Sequence, residues 1–124
     1  MVFLVSVVVR DIIEGLKSTL LSGFYLVAIL LIIKRFGPVY GYRIRKLLVN
    51  LSGGVFNPSE STVYTLLRNL EKKNMVTSYW GLVKGGVPRR FYTLTNKGNT
   101  VLIRALDLVD DIFKALKNIR GDVL

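Results

Sequence analysis

Residues 57–73 read NPSESTVYTLLRNLEKK, and their pattern decides which fold this chain can take. Asn57, Pro58 and Glu60 offer in turn a side-chain acceptor for a free helix-end amide, a proline suited to the first helical position, and a carboxylate at the third. The pattern predicts a helix from there to about Lys73, with Asn74 as its left-handed terminator. Val63, Leu66, Leu67 and Leu70 follow the three-and-four spacing of one buried stripe. On the opposite side the helical turn presents Ser61, Thr65, Arg68 and Lys72, flanked by Thr62, Tyr64 and Asn69. Hydroxyls, an amide and cations in one row can hydrogen-bond base edges and phosphates along a major groove. The plain alternative is a solvated polar face, which every amphipathic helix has.

Upstream, Tyr42–Leu51 (YRIRKLLVNL) is a second amphipathic helix whose stripe is Ile44, Leu47, Leu48 and Leu51. Ser52-Gly53-Gly54 then supplies a turn, so the pair forms a helix-turn-helix candidate. Downstream the periodicity changes. VTSYW at 76–80 and RFYTL at 90–94 are short, β-branched and aromatic, and Gly81, Gly85-Gly86 and Pro88 separate them. They predict a two-stranded hairpin with a flexible tip, against which Tyr79 and Trp80 are expected to pack the helices. From about Asn96 to Arg120 a helical pattern returns, with Leu102, Leu106, Val109, Ile112, Phe113 and Leu116 forming a seam for another helix.

The amino-terminal third is apolar. Asp11-Ile12-Ile13-Glu14 has the form of a capping box for a helix running through Ile33, with Gly15 and Gly23 as candidate breaks and Phe36-Gly37-Pro38 as its end. Leu20–Ile33 is uncharged over about 14 residues, a length that marks a buried helix more often than a span. Met1–Val9 lacks the basic start and cleavage site of a signal peptide. A core or dimer-interface helix is therefore expected, with no stable membrane insertion and a cytoplasmic location.

Charge supports the same division. Of 18 Lys/Arg and 8 Asp/Glu, residues 34–97 hold 12 and 2, so the whole net charge of +10 lies in the middle of the chain. A basic module between electrically balanced, hydrophobic ends suits an anionic partner. A 51% hydrophobic composition is more than so short a chain can cover alone, which points to a partner subunit. Cys and His are both absent, and the carboxylates are scattered. Thiolate chemistry, the commonest general base at neutral pH and the commonest metal ligand are thus missing, and neither catalysis, a metal nor a cofactor is expected.

The expected fold is mainly α with a small two-stranded β-wing: a winged helix-turn-helix plus a long C-terminal dimerisation helix, in one compact domain. Residues 1–36 form an N-terminal hydrophobic helical segment, 37–98 the DNA-binding region, and 99–124 the dimerisation helix. In the recognition helix Ser61, Thr62, Tyr64, Thr65, Arg68 and Lys72 are the candidate DNA contacts, with Arg68 suited to a bidentate bond with guanine. Lys84, Arg89 and Arg90 on the wing, with Arg43, Arg45, Lys46 and Lys73, suit phosphates and flanking grooves.

Three segments, GPVYGYRIRKLL, NPSESTVYTLLRNLEKKNMVTSYW and PRRFYTLTNKG, together resemble the PadR family of transcriptional regulators. They match its GYxI helix, its S-x-x-T-[VIL]-Y-x-x-L-x-x-L-E recognition helix and its R-x-[YF]-Y-x-L-T-x-x-G second wing strand, in order and in register, over about Gly37 to Gly98. The resemblance implies a homodimer built largely on the carboxy-terminal helix with help from the first. It also implies repression of nearby promoters from a palindromic operator, with Ser61, Thr62, Tyr64, Thr65 and Arg68 facing double-stranded DNA. Some members are similar to multidrug-responsive repressors that hold flat aromatic ligands at the dimer interface, which makes a small aromatic effector a candidate partner. This sequence departs from the family pattern at Thr65, where proline or alanine is frequent, at Asn74 in place of glycine, and at Tyr40 in place of histidine. A membrane-associated basic protein and a protein-interaction module on a winged-helix scaffold are the competing readings.

Overall fold

The computed structural model describes residues Met1–Leu124, and its elements run α1 (Val2–Phe36), β1 (Val39–Tyr40), α2 (Gly41–Leu51), α3 (Glu60–Lys72), β2 (Val76–Val83), β3 (Val87–Leu94) and α4 (Asn96–Arg120). This is the winged helix-turn-helix expected from the sequence, with one strand more. β1 pairs antiparallel with β3, making a three-stranded sheet in the order β1-β3-β2. A two-residue strand is too short to leave a periodic signal.

The core sits where the last third of α1 meets α2, α3 and the base of the wing. Ile29, Leu30, Ile44, Val63, Leu67, Leu70, Val39 and Val76 are sealed in it. Each comes from the stripe facing inward on its element, and their burial supplies most of the driving force for folding. Leu51 departs from the expected α2 stripe: it closes the helix and is exposed.

α1 corrects the sequence reading. It is one helix from Val2, without a break, so Asp11–Glu14 lies inside it and caps nothing. The amide of Val5 already bonds the Met1 carbonyl, and the helix continues from there, leaving no free donors at Asp11 to cap. Gly15 and Gly23 sit in regular helix with open space around them. The helix is long and apolar enough to cross a membrane, yet Ala28, Ile29, Leu30, Ile32 and Ile33 at its end are core. Its first 20 residues are almost entirely exposed.

The start of α3 is also corrected. Its cap is Ser59, whose Oγ accepts the Thr62 amide at 3.2 Å. Asn57 is engaged elsewhere: its Oδ1 accepts from Arg45 at 3.1 Å, and the Pro58 carbonyl accepts from Arg45 Nε at 2.8 Å. Arg45 thereby ties α2 to the loop that enters α3. The far end is as expected, with Asn74 at φ 59°.

Both wing strands are longer than the sequence patterns suggested, because Gly81 and Pro88 lie within them, opposite Arg89 and Leu82. Gly81 is a packing residue: a Cβ there would stand 3.0 Å from the Phe91 ring. The turn itself is Lys84-Gly85-Gly86, whose glycines take φ of 93° and 78°. α4 begins at the Thr95 cap, which accepts the Gly98 amide at 3.0 Å. Leu102 turns inward and is 3% exposed, so it belongs to the core of its own chain and offers nothing to a partner. It sits in the second turn of α4, where the helix rests on the base of the wing and on α1.

Candidate nucleic-acid interface

α3 is held by its apolar stripe and leaves its other side to solvent. Val63, Leu67 and Leu70 are fully buried, whereas Ser61, Thr65, Arg68 and Lys72 are all exposed. The row anticipated from sequence is therefore a real surface of the molecule. Arg68 is drawn toward Thr65, its Nη2 donating to Thr65 Oγ1 at 3.3 Å, which sets the guanidinium along the row. Ser61 and Thr62 are partly engaged: their hydroxyls hydrogen-bond the Ser59 cap at 3.1 and 2.9 Å. Tyr64 is half-buried, its ring lying over the Cα of Gly41 so closely that a Cβ there would be 2.7 Å from Cε1. Gly41 thus lets α2 begin against α3.

The wing is fastened to the end of α3 by a polar cluster. Arg90 of β3 donates to the Glu71 carboxylate at 3.2 Å and to Ser78 Oγ at 2.7 Å, and Ser78 in turn donates to Glu71. This is the only ion pair of the chain. It commits Arg90 to an internal partner, while Lys84 and Arg89 on the wing and Arg43 and Lys46 on α2 form no ion pair. Arg89 lies over the Tyr40 ring at 5.8 Å and Lys46 over the Tyr42 ring at 5.2 Å. Beside this cluster Tyr92 is buried, and burial pushes its phenol above the ordinary value, with Arg90 opposing and Glu71 reinforcing.

Between α3 and the wing lies an open cleft of about 450 Å³, lined by Tyr40, Gly41, Tyr64, Arg68, Glu71, Trp80, Arg89, Arg90 and Tyr92. Trp80 corrects an expectation here. It does not pack the hairpin against the helices but stands 68% exposed at the cleft, while Tyr79, also exposed, stacks on Phe91 on the other face of the sheet. Sequence reasoning missed Trp80 and Glu71 as members of this site. The cross-strand register pairs Trp80 with Arg90 and Ser78 with Tyr92, which only a correct strand alignment would have revealed.

On α4 the remaining seam residues divide. Val109 is half-buried and, with Ala105, Leu108 and Ile112, lines a shallow apolar groove against Leu20, Phe24 and Val27 of α1. Leu106, Ile112, Phe113 and Leu116 are exposed, as are Val2 to Val5, Val8, Val9, Ile12, Ile13 and Leu16 of α1. No group of His, Cys, Asp and Glu side chains is placed to hold a metal ion.

Known proteins share this arrangement. A family model described as "Transcriptional regulator PadR-like family" matches residues 29–104. The structure of a PadR-like transcriptional regulator from Bacillus cereus is 27% identical, covers 84% of this chain and 99% of its own, and superposes with a TM-score of 0.72. Bacillus subtilis PadR, solved in complex with operator DNA, is 26% identical with a TM-score of 0.59, over 66% of this chain and 46% of that one. An uncharacterized protein X of Lysinibacillus sphaericus is 35% identical over 63 residues, which span 51% of this chain and 58% of that protein.

Proposed function

The chain belongs to the PadR-like family of transcriptional regulators, and from that premise we propose that it binds operator DNA as a homodimer and represses transcription. The observation that carries this reading is the exposed row Ser61, Thr65, Arg68 and Lys72 on a helix whose opposite stripe is sealed in the core. In the proposed complex this row enters the major groove. Thr65 and Arg68 read base edges, and Ser61, Thr62 and Tyr64 stand at the helix start toward the strand backbone. Lys72, Arg43, Lys46, Lys84 and Arg89 neutralise phosphates, and Arg90 holds the wing in place beside them. The likeness to a protein solved with operator DNA supports the choice of partner.

The same reading assigns 37–98 to DNA, 99–124 to dimerisation and 1–36 to the core and the dimer contact. Leu106, Ile112, Phe113 and Leu116, together with the exposed half of α1, form an apolar surface that a second copy would cover. A two-fold axis would then set the recognition helices about 34 Å apart, one helical turn of DNA or a multiple of it. A small aromatic effector has its place at that interface in this reading, and the protein works in the cytoplasm. Selection of bound sites from a random duplex pool, followed by footprinting, tests the proposal. Two symmetric half-sites are expected, whereas binding without sequence preference would reduce the protein to a general DNA coater.

One observation favours a second reading. α1 is long and apolar enough to cross a membrane, and its first half has no cover within the chain. Fractionation separates the two, since recovery only in detergent extracts would place α1 in lipid. The burial of Ala28, Ile29, Leu30, Ile32 and Ile33 in the winged-helix core favours the soluble dimer.

A further inference from the structure

We infer that the cleft between α3 and the wing seats the sugar–phosphate backbone of one DNA strand, with Trp80 packed on the deoxyribose. This rests on the DNA-binding reading and goes beyond it by adding an aromatic contact to the cationic ones. Three observations meet there. Trp80 is the single tryptophan, and it is 68% exposed on the sheet face that also carries Arg90 and Tyr92. Two thirds of the residue stands open to solvent, with the Arg90 guanidinium 5.9 Å from its ring. The cleft holds Arg68, Arg89 and Arg90 against Glu71 alone, and Glu71 is already satisfied by Arg90 and Ser78. Arg68 is therefore left at the opening without an ion-pair partner, while Arg89 reaches the rim from the opposite sheet face, where it lies over Tyr40.

The ligand must match both features at once. A free inorganic anion would satisfy the arginines and leave the indole in water. An apolar molecule would cover the indole and leave the Arg68 guanidinium unpaired. A nucleic-acid strand carries phosphate and the C–H surface of a sugar side by side, and it repeats them. Arg68 lies on the α3 wall, in the later half of the exposed row, and is the free cation that meets the phosphate. Tyr92 forms the floor, Trp80 stands at the lip, and Arg89 over Tyr40 adds positive charge from the other face of the sheet. Because every nucleotide has the same sugar, this contact adds affinity without choosing a sequence.

The lone tryptophan makes the test direct. Duplex DNA bearing the selected operator, and a random duplex of equal length, are titrated into the full-length protein while Trp80 emission is followed beside a gel-shift measurement. Emission is expected to change on both duplexes and to saturate with the shift. Trp80→Ala is expected to weaken binding to both by about tenfold, and Trp80→Phe to restore most of it. Circular dichroism melts keep the comparison sound, since an exposed side chain contributes little to folding. Wild-type binding with unchanged emission and an unimpaired Trp80→Ala variant would overturn the seat while leaving DNA binding intact. So would a loss confined to the operator, which would make Trp80 a base contact. Emission that instead follows protein concentration without DNA would place Trp80 under a second copy. Failure of the wild-type protein to bind any duplex would defeat the underlying reading itself, a distinct result.

Discussion

The Glu71 carboxylate, on the last turn of α3, and the Arg90 guanidinium, on β3, stand 3.2 Å apart and fix the recognition helix to the wing. Ser78 of β2 bonds to both, so one cluster joins the helix to two strands. Each side chain keeps partial contact with water, at 33% and 44% exposure, which limits what the pair adds to folding. A pair of this kind contributes about 0.5–1 kcal/mol. Glu71→Gln is therefore expected to lower the melting temperature by only about 2–4 °C. Its effect on DNA binding is larger in kind. Removing the charge frees Arg90, so the salt dependence of binding to random duplex should steepen by about 0.9 in slope. A wing released from α3 should also discriminate less between operator and random DNA. An unchanged salt slope would mean that Arg90 stays away from phosphate even when free.

Tyr92 lies against the same cluster and gives it a signature in alkali. Burial is the main cause that raises its phenol above 10, with Glu71 and Tyr64 adding to the rise and Arg90 and Arg68 opposing it. The native state thus holds this proton more tightly than the unfolded chain does. The stability so contributed is full below about pH 10 and is lost as pH climbs through the raised native value. Melts of the native protein and of Tyr92→Phe, compared from pH 8 upward, should run parallel until about pH 10 and then converge or cross as the native protein loses ground. In a phenolate absorbance titration one of the six tyrosines should ionise late.

Arg68 and Lys72 share a helix face and should differ in what they do. In the proposed complex Arg68 makes a bidentate bond with a base, worth about 1–3 kcal/mol of discrimination at one base pair. Arg68→Ala should relax preference at that position and barely change binding to random duplex. Lys72→Ala should weaken both alike and reduce the salt slope by about 1. Uniform weakening by Arg68→Ala would make that residue a phosphate contact.

The recognition helix was legible in sequence because both of its faces are periodic, and α4 because the Thr95 cap and Gly121 leave its pattern intact over its full length. What escaped was of two kinds. Where two residues could serve one role, sequence gave no means to choose: Asn57 and Ser59 both cap helices, and only the position of Arg45 shows which is already occupied. Where contacts join distant segments, periodicity is silent. Leu102 continues the apolar seam of α4 without interruption, yet α1 and the wing base close over it, while Leu106 one turn later stays exposed. Trp80 failed in the opposite direction, since an aromatic residue in a strand predicts packing and this one faces outward. In the same way the Glu71–Arg90 pair, 19 residues apart, needed the hairpin register before it could be seen.

Gly98 has a sharper constraint than any other glycine in the chain. A Cβ there would stand 2.0 Å from the Met75 carbonyl oxygen and 2.9 Å from its carbon, both backbone atoms. The first turn of α4 and the start of β2 can approach only because residue 98 has no side chain. Gly98→Ala must push them apart, and overpacking of this kind costs about 1–3 kcal/mol or more. A fall in the denaturant midpoint is expected, together with loss of the Thr95 hydroxyl contacts to the Asn74 and Met75 carbonyls, now 2.7 and 3.1 Å. A variant as stable as the native protein would show that this junction is looser than its geometry indicates.

The exposed end of α4 supplies the remaining test. Phe113 and Leu116 are both more than half exposed, three residues apart on one helix, and stand in line with Leu106 and Ile112. In a monomer an aspartate at either position would sit in water and change little. In a dimer it would bring a charge into an apolar seam, twice over because of the two-fold symmetry. Phe113→Asp is therefore expected to keep its secondary structure by circular dichroism while sedimenting as a monomer at concentrations where the native protein is expected to sediment as a dimer. Operator affinity should fall by orders of magnitude, because each molecule would then engage a single half-site and lose the gain from linked binding. Binding to an isolated half-site should be nearly unchanged, since Phe113 is exposed near the end of α4 and belongs neither to the α3 row nor to the wing. A Phe113→Asp protein that stays dimeric would move the interface elsewhere, with the exposed half of α1 the surface left to carry it.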